Sequence, residues 1–394
     1  MSGDGTLPVV DKPMAPAFPL VGLLALACAG FITILTEALP AGLLQTMSLS
    51  LGISESLVGQ LVTVYAVGSL LAAIPLVAFT RHFRRRPLLL VAIAGFAVAN
   101  TTTALSSSYM LILVARFIAG ISAGLLWALL AGYATRMVPA AQQNRAMAVA
   151  MMGSPLAMAM GIPAGTLLGQ QIGWRWTFGV MSFMSIGLFA WARGALPDFP
   201  GQAKAGPLQL RRILALPGVT QVLVTMLVFV LAHNLLYTYV APVLALAGVA
   251  SSVDRYLLLF GAASIAGIAI AGALGDRHMR TLVIAGVAGF LLAAFALACW
   301  PSSPVVQGVA LTLWGLGFGG APAILQTALA RNAGDAADVA QSLLVTGWNL
   351  AVAGGGLAGG LILGHFGAQA LAWVVVPLLL ISVATAWSPK AWRA

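Results

Sequence analysis

Two charged side chains, Glu37 and Arg116, lie in the middle of long apolar stretches of this chain. The chain has 19 Lys and Arg and 9 Asp and Glu residues, and all the others fall at or between the ends of such stretches. A charge inside a membrane-spanning helix is costly, and such residues commonly take part in ion or proton movement. A carboxyl group beside a guanidinium that can move away could bind and release a proton, which is the chemistry of a proton relay.

The apolar stretches that carry these two residues are long enough to cross a membrane. Hydrophobic residues make up 61% of the chain and charged residues 7%, whereas soluble domains are about 25% charged. A spanning helix needs about 20 apolar residues. Twelve such runs occur, at 18–47, 57–79, 87–106, 109–133, 145–171, 174–195, 217–247, 252–275, 281–300, 305–329, 338–363 and 370–388. The sequence therefore predicts an all-α membrane protein with twelve transmembrane helices.

Positive charge is concentrated on one side of the predicted membrane. With the N terminus inside, sixteen Lys and Arg residues fall in inside segments, and two, Arg175 and Arg255, fall in outside loops. Cytoplasmic loops of membrane proteins carry such an excess, so we expect both termini in the cytoplasm. This topology accounts for the net charge of +10, and no nucleic-acid partner is expected.

The twelve runs divide into two similar halves. Residues 80–82 (TRH) after the second run align with residues 276–278 (DRH) after the eighth, and Pro40 corresponds to Pro242 at a similar offset. Such internal repeats are typical of secondary transporters. We expect a cytoplasmic N-terminal tail (1–17), a six-helix bundle (18–195), a proline-containing cytoplasmic linker (196–216), a second six-helix bundle (217–388) and a cytoplasmic tail (389–394).

Five short segments resemble one family in their order and position. They are TEALPAGLL at 36–44, GQLVTVYA at 59–66, GWR at 173–175, YTYVAP at 237–242 and WN at 348–349. Over residues 18–388 the chain resembles the major facilitator superfamily. Within it, the chain is most similar to the twelve-helix drug:proton antiporter branch, with its bacterial sugar-efflux and arabinose-efflux-like proteins. The resemblance implies the major facilitator fold, two pseudo-symmetric six-helix bundles, in a bacterial inner (plasma) membrane.

The function that this resemblance implies is proton-coupled efflux, by antiport and alternating access, of a small molecule such as a sugar or a drug-like compound. The alternative is a proton symporter or facilitator for uptake of a small polar solute, and a sensor on a transporter scaffold also stays open. An enzyme is not expected, because the chain has one embedded acid, one embedded histidine and no G-x-S-x-G motif. Protons are the expected coupling ion, without a cofactor. The expected partners are the small-molecule substrate and membrane lipids, and the protein is expected to be a monomer.

Glu37 and Arg116 are the predicted proton-coupling residues. We place the outer end of the first span near Leu44, seven residues after Glu37, and that of the fourth near Tyr109, seven residues before Arg116. Both charges would then lie about 10 Å below the outer surface. In the resembled fold their helices line one cavity, so the two charges would compensate each other. An Arg116 that moves, or that the substrate engages, would switch Glu37 between protonation states. A fixed ion pair that only holds the helices together is the alternative.

Basic turns and one glycine-rich helix are the predicted gates. The family's loop signature G-x-x-x-D-R is met at 272–277, whereas Thr80 replaces the usual Asp in the first half. We therefore expect the arginines after the second run to pair with Asp338, and Asp276 to meet Arg145. Residues 161–165 resemble the antiporter motif, and a proline there lets a close-packed helix bend, although packing alone is the alternative for the glycines. The predicted gating residues are Arg81, Arg84, Arg85, Arg145, Gly161, Pro163, Gly165, Asp276, Arg277 and Asp338.

Polar and aromatic side chains inside the runs are the predicted substrate wall. Amides and aromatic rings in an apolar pocket suit a small ligand that is polar but uncharged, or amphipathic. For the aromatic residues, packing or anchoring at the membrane interface is the alternative. The predicted substrate-binding residues are Asn100, Trp127, His233, Asn234, Tyr237, Gln326, Trp348 and Asn349.

Overall fold

A computed structural model describes residues 18–73, 79–80, 82–139, 142–201 and 210–392. Within these residues every regular element is a helix, and twelve helices are long and apolar enough to cross a membrane. The predicted all-α membrane fold with twelve spans is confirmed. The predicted N-terminal tail, residues 1–17, lies outside the described residues.

The spanning helices are called spans one to twelve in chain order. They are Leu20–Gly42, Glu55–Ala72, Arg85–Leu105, Tyr109–Arg136, Arg145–Ile172, Trp174–Ala195, Val219–Tyr237, Ala250–Gly275, Arg277–Cys299, Pro304–Ala333, Leu343–Phe366 and Ala368–Trp387. Spans one and seven end earlier than the sequence predicts. The backbone leaves the helix at Leu43 and at Tyr239, and the short helices Leu44–Leu51 and Val240–Ala245 follow.

The turns after spans five and eleven each contain a glycine with a positive φ. Gly173 has a φ of 90° and Gly367 a φ of 79°, a region that residues with a Cβ rarely adopt. Each glycine ends one span and begins the next. These two sharp turns stand at corresponding places in the two halves and agree with the internal repeat.

Large apolar side chains cover the outside of the molecule as well as its core. Leu105 is 80% exposed, Phe183 77% and Val305 75%. Exposed apolar surface on this scale would make a soluble protein aggregate. It is the surface expected of helices that satisfy their own backbone hydrogen bonds and face lipid.

The two halves meet along two pairs of spans. Span two packs along span eleven, and span five packs against span eight. We call the end of the molecule that carries Arg84 and Asp198 the basic end. The opposite end, which carries Arg175 and Gly367, is called the far end. Spans one, three, five, seven, nine and eleven run from the basic end to the far end, and the even-numbered spans return.

Span five is irregular at its centre. Residues Ala157–Gly161 form a π-helical turn, which is followed by the helix Ile162–Ile172 with Pro163 in its first turn. Turns of this kind interrupt the regular helix and are frequent at functional sites. Gly261 of span eight packs on the backbone of Ala159 with no room for a Cβ. The irregular turn therefore lies where the two halves touch.

Candidate functional site

Arg116 reaches span one close to Glu37, but it binds the backbone there. Its Nη1 donates to the Thr36 carbonyl at 2.6 Å and its Nη2 to the Glu37 carbonyl at 3.0 Å. Its Nε donates to the Leu61 carbonyl of span two at 3.3 Å. The side chain is 1% exposed. The fully buried guanidinium is therefore hydrogen-bonded to three backbone carbonyl groups.

Among the described residues no ion pair joins Glu37 to Arg116, as the alternative of a fixed pair would require. Among the described residues, the Glu37 carboxylate has neither a hydrogen bond nor an ion pair, and the recorded ion pair joins Arg84 to Asp198 instead. The hydrogen bonds of the Arg116 guanidinium end on the backbone carbonyls of Thr36, Glu37 and Leu61 rather than on the carboxylate. The Arg116 guanidinium nevertheless lies beside Glu37, because it binds the carbonyl of that residue. Glu37 is half-buried, which leaves its carboxylate available to a proton.

A buried polar cluster surrounds this arginine and joins spans one to four. Asn100 of span three donates to the Thr36 hydroxyl at 3.2 Å. Tyr65 of span two donates to the Thr33 carbonyl at 3.1 Å, and the Arg116 guanidinium lies 4.9 Å from the centre of its ring. Neither Tyr65 nor Thr36 had a predicted role in the site. A tyrosine in mid-span was the available signal, because a buried hydroxyl needs a partner.

His233 lies in an aromatic cluster of the second half. Its ring stacks on Phe318, with centroids 3.6 Å apart, and on Tyr237 at 4.9 Å. Trp314 meets it edge-on at 5.3 Å. The His233 Nδ1 and the Trp314 Nε1 are buried and have no hydrogen-bond partner among the described residues. Buried polar atoms are rarely left unpaired, so this cluster holds two unused positions for hydrogen bonds.

The predicted wall amides do not converge on one cavity. Asn100 is buried against span one, and Asn234 is buried with its Nδ2 on the Val230 carbonyl at 2.9 Å. Asn349 is half-buried and hydrogen-bonds its own helix, while Gln326 is exposed. These four side chains therefore lie in different settings in this conformation.

The predicted wall aromatics are closer together. Trp348 is half-buried, and its ring lies 6.3 Å from that of Phe318, the residue that also stacks on His233. His233 and Trp348 therefore both lie near Phe318, and Tyr237 stacks on His233. Trp127 is half-buried in the first half, beside Gly30 of span one.

At the far end, polar side chains bridge the two halves. Ser56 of span two donates to the Gly360 carbonyl of span eleven at 2.7 Å. The Gln60 Nε2 donates to the Gly356 carbonyl and to the Tyr239 hydroxyl, both at 3.3 Å. Tyr239 in turn donates to the Gly356 carbonyl at 2.8 Å. We call Ser56, Gln60, Tyr239, Gly356 and Gly360 the far-end seal. None of the five had a predicted gating role.

Glycines make this close contact possible. A Cβ on Gly59 would overlap the Tyr239 ring from span two, and a Cβ on Gly359 would lie 2.7 Å from the same ring from span eleven. A Cβ on Gly356 would overlap the Thr63 side chain. The Tyr239 ring is 0% exposed and fills the slot between spans two and eleven. The far end is closed at this point.

At the basic end, the start of the linker caps span three. Asp198 forms an ion pair with the Arg84 Nε at 2.5 Å and accepts a hydrogen bond from the Arg86 backbone N–H at 3.1 Å. The Arg85 N–H donates to the Phe199 carbonyl at 2.9 Å. The first N–H groups of a helix have no partner within the helix, so the linker supplies acceptors to two of them.

The same linker segment is also tied to span four. The Tyr133 hydroxyl donates to the Pro197 carbonyl, and the Arg136 Nη1 donates to the Pro200 carbonyl at 3.0 Å. The Phe199 ring packs edge-on against Tyr133 with centroids 5.2 Å apart. Spans three and four are therefore both fastened to the residues that follow span six.

The predicted basic-end clamp lies partly outside the described residues. Arg81 is outside them, as are the side chains of Asp276 and Asp338. Arg84, which was expected to pair with Asp338, pairs with Asp198, because the linker brings this acid to the start of span three.

The other predicted gating residues have identifiable surroundings. Arg145, expected to meet Asp276, lies over the Phe18 ring at 4.6 Å, and Arg277 is exposed. A Cβ on Gly161 would lie 2.8 Å from the Phe31 ring, and one on Gly165 would lie 2.7 Å from Leu39. These glycines of span five thus let it pack closely on span one.

Comparison with known proteins finds a matching family and solved structures with a similar fold. Residues 26–343 match the Major Facilitator Superfamily. The fold is similar to that of the human organic anion transporter MFSD10 (TETRAN), with 19% identity and a TM-score of 0.66 over 95% of this chain and 100% of that one. It is also similar to a bacterial homologue of the human lysosomal transporter Spinster, in an inward-facing and unoccupied conformation, with 14% identity and a TM-score of 0.67 over 96% and 100%.

A third solved structure with this fold is a D-xylose-proton symporter, with 15% identity and a TM-score of 0.74 over 95% of this chain and 98% of that one. At these identities the solved structures establish the fold alone. The family and the fold together make the protein a membrane transporter of small solutes and not an enzyme. With twelve spans in two similar halves and a family match over most of its length, this chain belongs to the Major Facilitator Superfamily.

Proposed function

We propose that this protein exports a small molecule across the bacterial inner membrane by proton-coupled antiport. The observation that carries the proposal is Glu37. It is the one acidic residue inside an apolar span of the sequence, and its carboxylate is half-buried without a partner among the described residues. A carboxylate in that position can exchange its proton with whichever side of the membrane is open.

The charge distribution supports an orientation with the basic end in the cytoplasm. The excess of Lys and Arg residues falls in the segments that connect spans at that end, as in other membrane proteins. The far-end seal would then close the external side. In this reading residues 18–195 and 217–388 are two bundles, joined by the linker 196–216, that rock against each other during alternating access.

The aromatic cluster of the second half is the proposed binding region for the cargo. His233 and Trp348 supply rings next to Phe318, Tyr237 stacks on His233, and two buried ring nitrogens lack partners among the described residues. This surrounding carries no formal charge. It suits a small, uncharged or amphipathic molecule with a ring and a polar group, such as a sugar or a drug-like compound.

The proposal is tested with purified protein in vesicles, after a growth panel of sugars, nucleosides and antibiotics has identified a substrate. Efflux is driven by an imposed pH gradient. Glu37→Gln should reduce it to the background rate, because an amide cannot carry the proton, while substrate binding persists. Glu55→Gln, at the far-end start of span two, is the matched control and should transport normally. Parental rates in Glu37→Gln would contradict the proposal.

Proton symport is the second candidate, because the chain shares its fold with a D-xylose-proton symporter. The same vesicles separate the two modes. When substrate is added to one side, antiport moves protons against the direction of substrate flow, whereas symport moves them along with it. A dye trapped inside the vesicles reports the direction of the pH change.

A further inference from the structure

Pro40 leaves one carbonyl group of span one without its usual donor. In an α-helix the N–H of each residue bonds the carbonyl four residues earlier, and proline has no N–H. Pro40 lies inside the helix Leu20–Gly42, so the Thr36 carbonyl loses its partner. Thr36 is 0% exposed. An unpaired carbonyl buried in a span costs free energy, and water is absent there to relieve it.

Arg116 supplies the missing donor. The shortest of its three hydrogen bonds, at 2.6 Å, goes to this Thr36 carbonyl, and the next goes to the Glu37 carbonyl at 3.0 Å. A guanidinium carries five N–H donors in a planar fork, which lets one side chain bridge several carbonyls. The Tyr65 ring beneath it adds a further favourable contact for the positive charge.

The third hydrogen bond joins span one to the far-end seal. The Arg116 Nε donates to the Leu61 carbonyl of span two, and the neighbouring residue Gln60 binds Tyr239 and Gly356 across the two halves. One side chain therefore holds the backbone at Glu37 and the backbone next to the seal.

We propose that Arg116 is a positioning residue that replaces the backbone donor missing at Pro40 and so fastens the Glu37 segment of span one to span two. This inference rests on the proposed function insofar as Glu37 is the proton site. It differs from a counter-ion role, in which only the positive charge near the carboxylate would matter.

A lysine separates the two roles. Arg116→Lys keeps the charge. An ammonium is compact and lacks the planar fork of the guanidinium, so it cannot reach three separate carbonyl groups. The maximal transport rate should fall on the order of tenfold, since a buried carbonyl loses its donor, and the pH profile of transport should keep its position because the charge remains. A counter-ion role predicts parental transport in the lysine variant, and that result would overturn the inference.

Pro40→Ala provides the specific rescue. The alanine restores a backbone N–H that can bond the Thr36 carbonyl. The loss of Tm caused by Arg116→Lys in the purified full-length protein should therefore shrink by roughly half in the Pro40→Ala background, which is the signature of two coupled sites. Equal losses of Tm in both backgrounds would overturn the inference. If Arg116→Lys alone yields no folded protein, recovery of a monodisperse peak in the double variant supports the inference, and continued absence while Pro40→Ala folds overturns it.

This outcome is independent of the proton proposal. Glu37→Gln leaves the Thr36, Glu37 and Leu61 carbonyls in place, so its Tm should equal that of the parent whether or not it transports. Loss of coupling in Glu37→Gln with additive effects at positions 40 and 116 would support the proton site and reject the positioning role. Normal coupling in Glu37→Gln together with non-additive effects at positions 40 and 116 would support the positioning role and reject the proton site.

Discussion

Asp198 is held in its charged form by the groups around it. The hydrogen bond from the Arg84 side chain lowers the pKa of this carboxyl, and the Arg86 backbone N–H acts in the same direction. An acid whose pKa is lower in the folded state stabilises the fold above its unfolded pKa, about 3.9. That contribution is lost as the pH falls through the lower, folded value.

Asp198→Asn should therefore lower the Tm at neutral pH and have no effect in strong acid. The loss should be a few degrees at most, because the Arg84 side chain is 68% exposed and such pairs are weak. Unfolding followed by tryptophan fluorescence between neutral and acid pH measures it. Asp254→Asn, at the far end, is the matched control. A loss of Tm in Asp198→Asn that persists unchanged into strong acid would show that the charge of Asp198 is not its cause.

At the scale of the helix, the seal depends on glycine at one face of span eleven. A Cβ on Gly360 would overlap the Gln60 amide and lie 2.7 Å from the Tyr239 hydroxyl, whereas a Cβ on Gly364, one turn further, meets only Ser56 at 4.0 Å. Overpacking costs about 1–3 kcal/mol, and that cost applies only while the far end is closed.

Gly360→Ala should therefore open the far end. In a background without Cys28 and Cys299, a single cysteine at Thr63 reports access from the far side to a membrane-impermeant maleimide. Labelling should rise on the order of tenfold in Gly360→Ala and stay at the parental rate in Gly364→Ala. Equal labelling of the two alanine variants would show that steric contact at Gly360 does not hold the far end closed.

At the scale of the whole molecule, transport by two rocking halves requires spans two and eleven to separate. A Cβ built on Gly356 lies 3.5 Å from the Thr63 Cβ, within the range of a disulfide, about 3.5–4.5 Å. Oxidation of the Thr63→Cys/Gly356→Cys double variant should lock the far end and stop transport, and reduction should restore it.

The Thr63→Cys single variant, oxidised in the same way, controls for chemical damage and should keep transporting. Mass spectrometry of the peptides confirms that the disulfide has formed. Undiminished transport by the fully crosslinked protein would mean that these two spans stay together throughout the cycle.

The spans and the repeat could be predicted from the sequence because lipid imposes simple rules on length and charge. Glu37 was visible for the same reason, as an acid where acids are costly. The partners of Arg116 were not visible, since a carbonyl freed by proline has no side-chain signature. The seal was out of reach because it depends on docking of the halves: Ser56 and Gly360 are 304 residues apart. The ion pair of Asp198 could not be foreseen either, since nothing in the spacing of this linker residue points to Arg84.

The chemical neutrality of the far-end seal has an electrical consequence. A charge that crosses the membrane field exchanges about 2.3 kcal/mol per 100 mV with it. The seal consists of one serine, one glutamine, one tyrosine and two glycines, so pulling it apart moves no formal charge through that field. The membrane potential therefore does not directly change the free energy of separating the seal residues. Any voltage dependence of turnover therefore reports charge carried outside the seal, by Glu37, by Arg116, by the proton or by the cargo, and not the five residues of the seal.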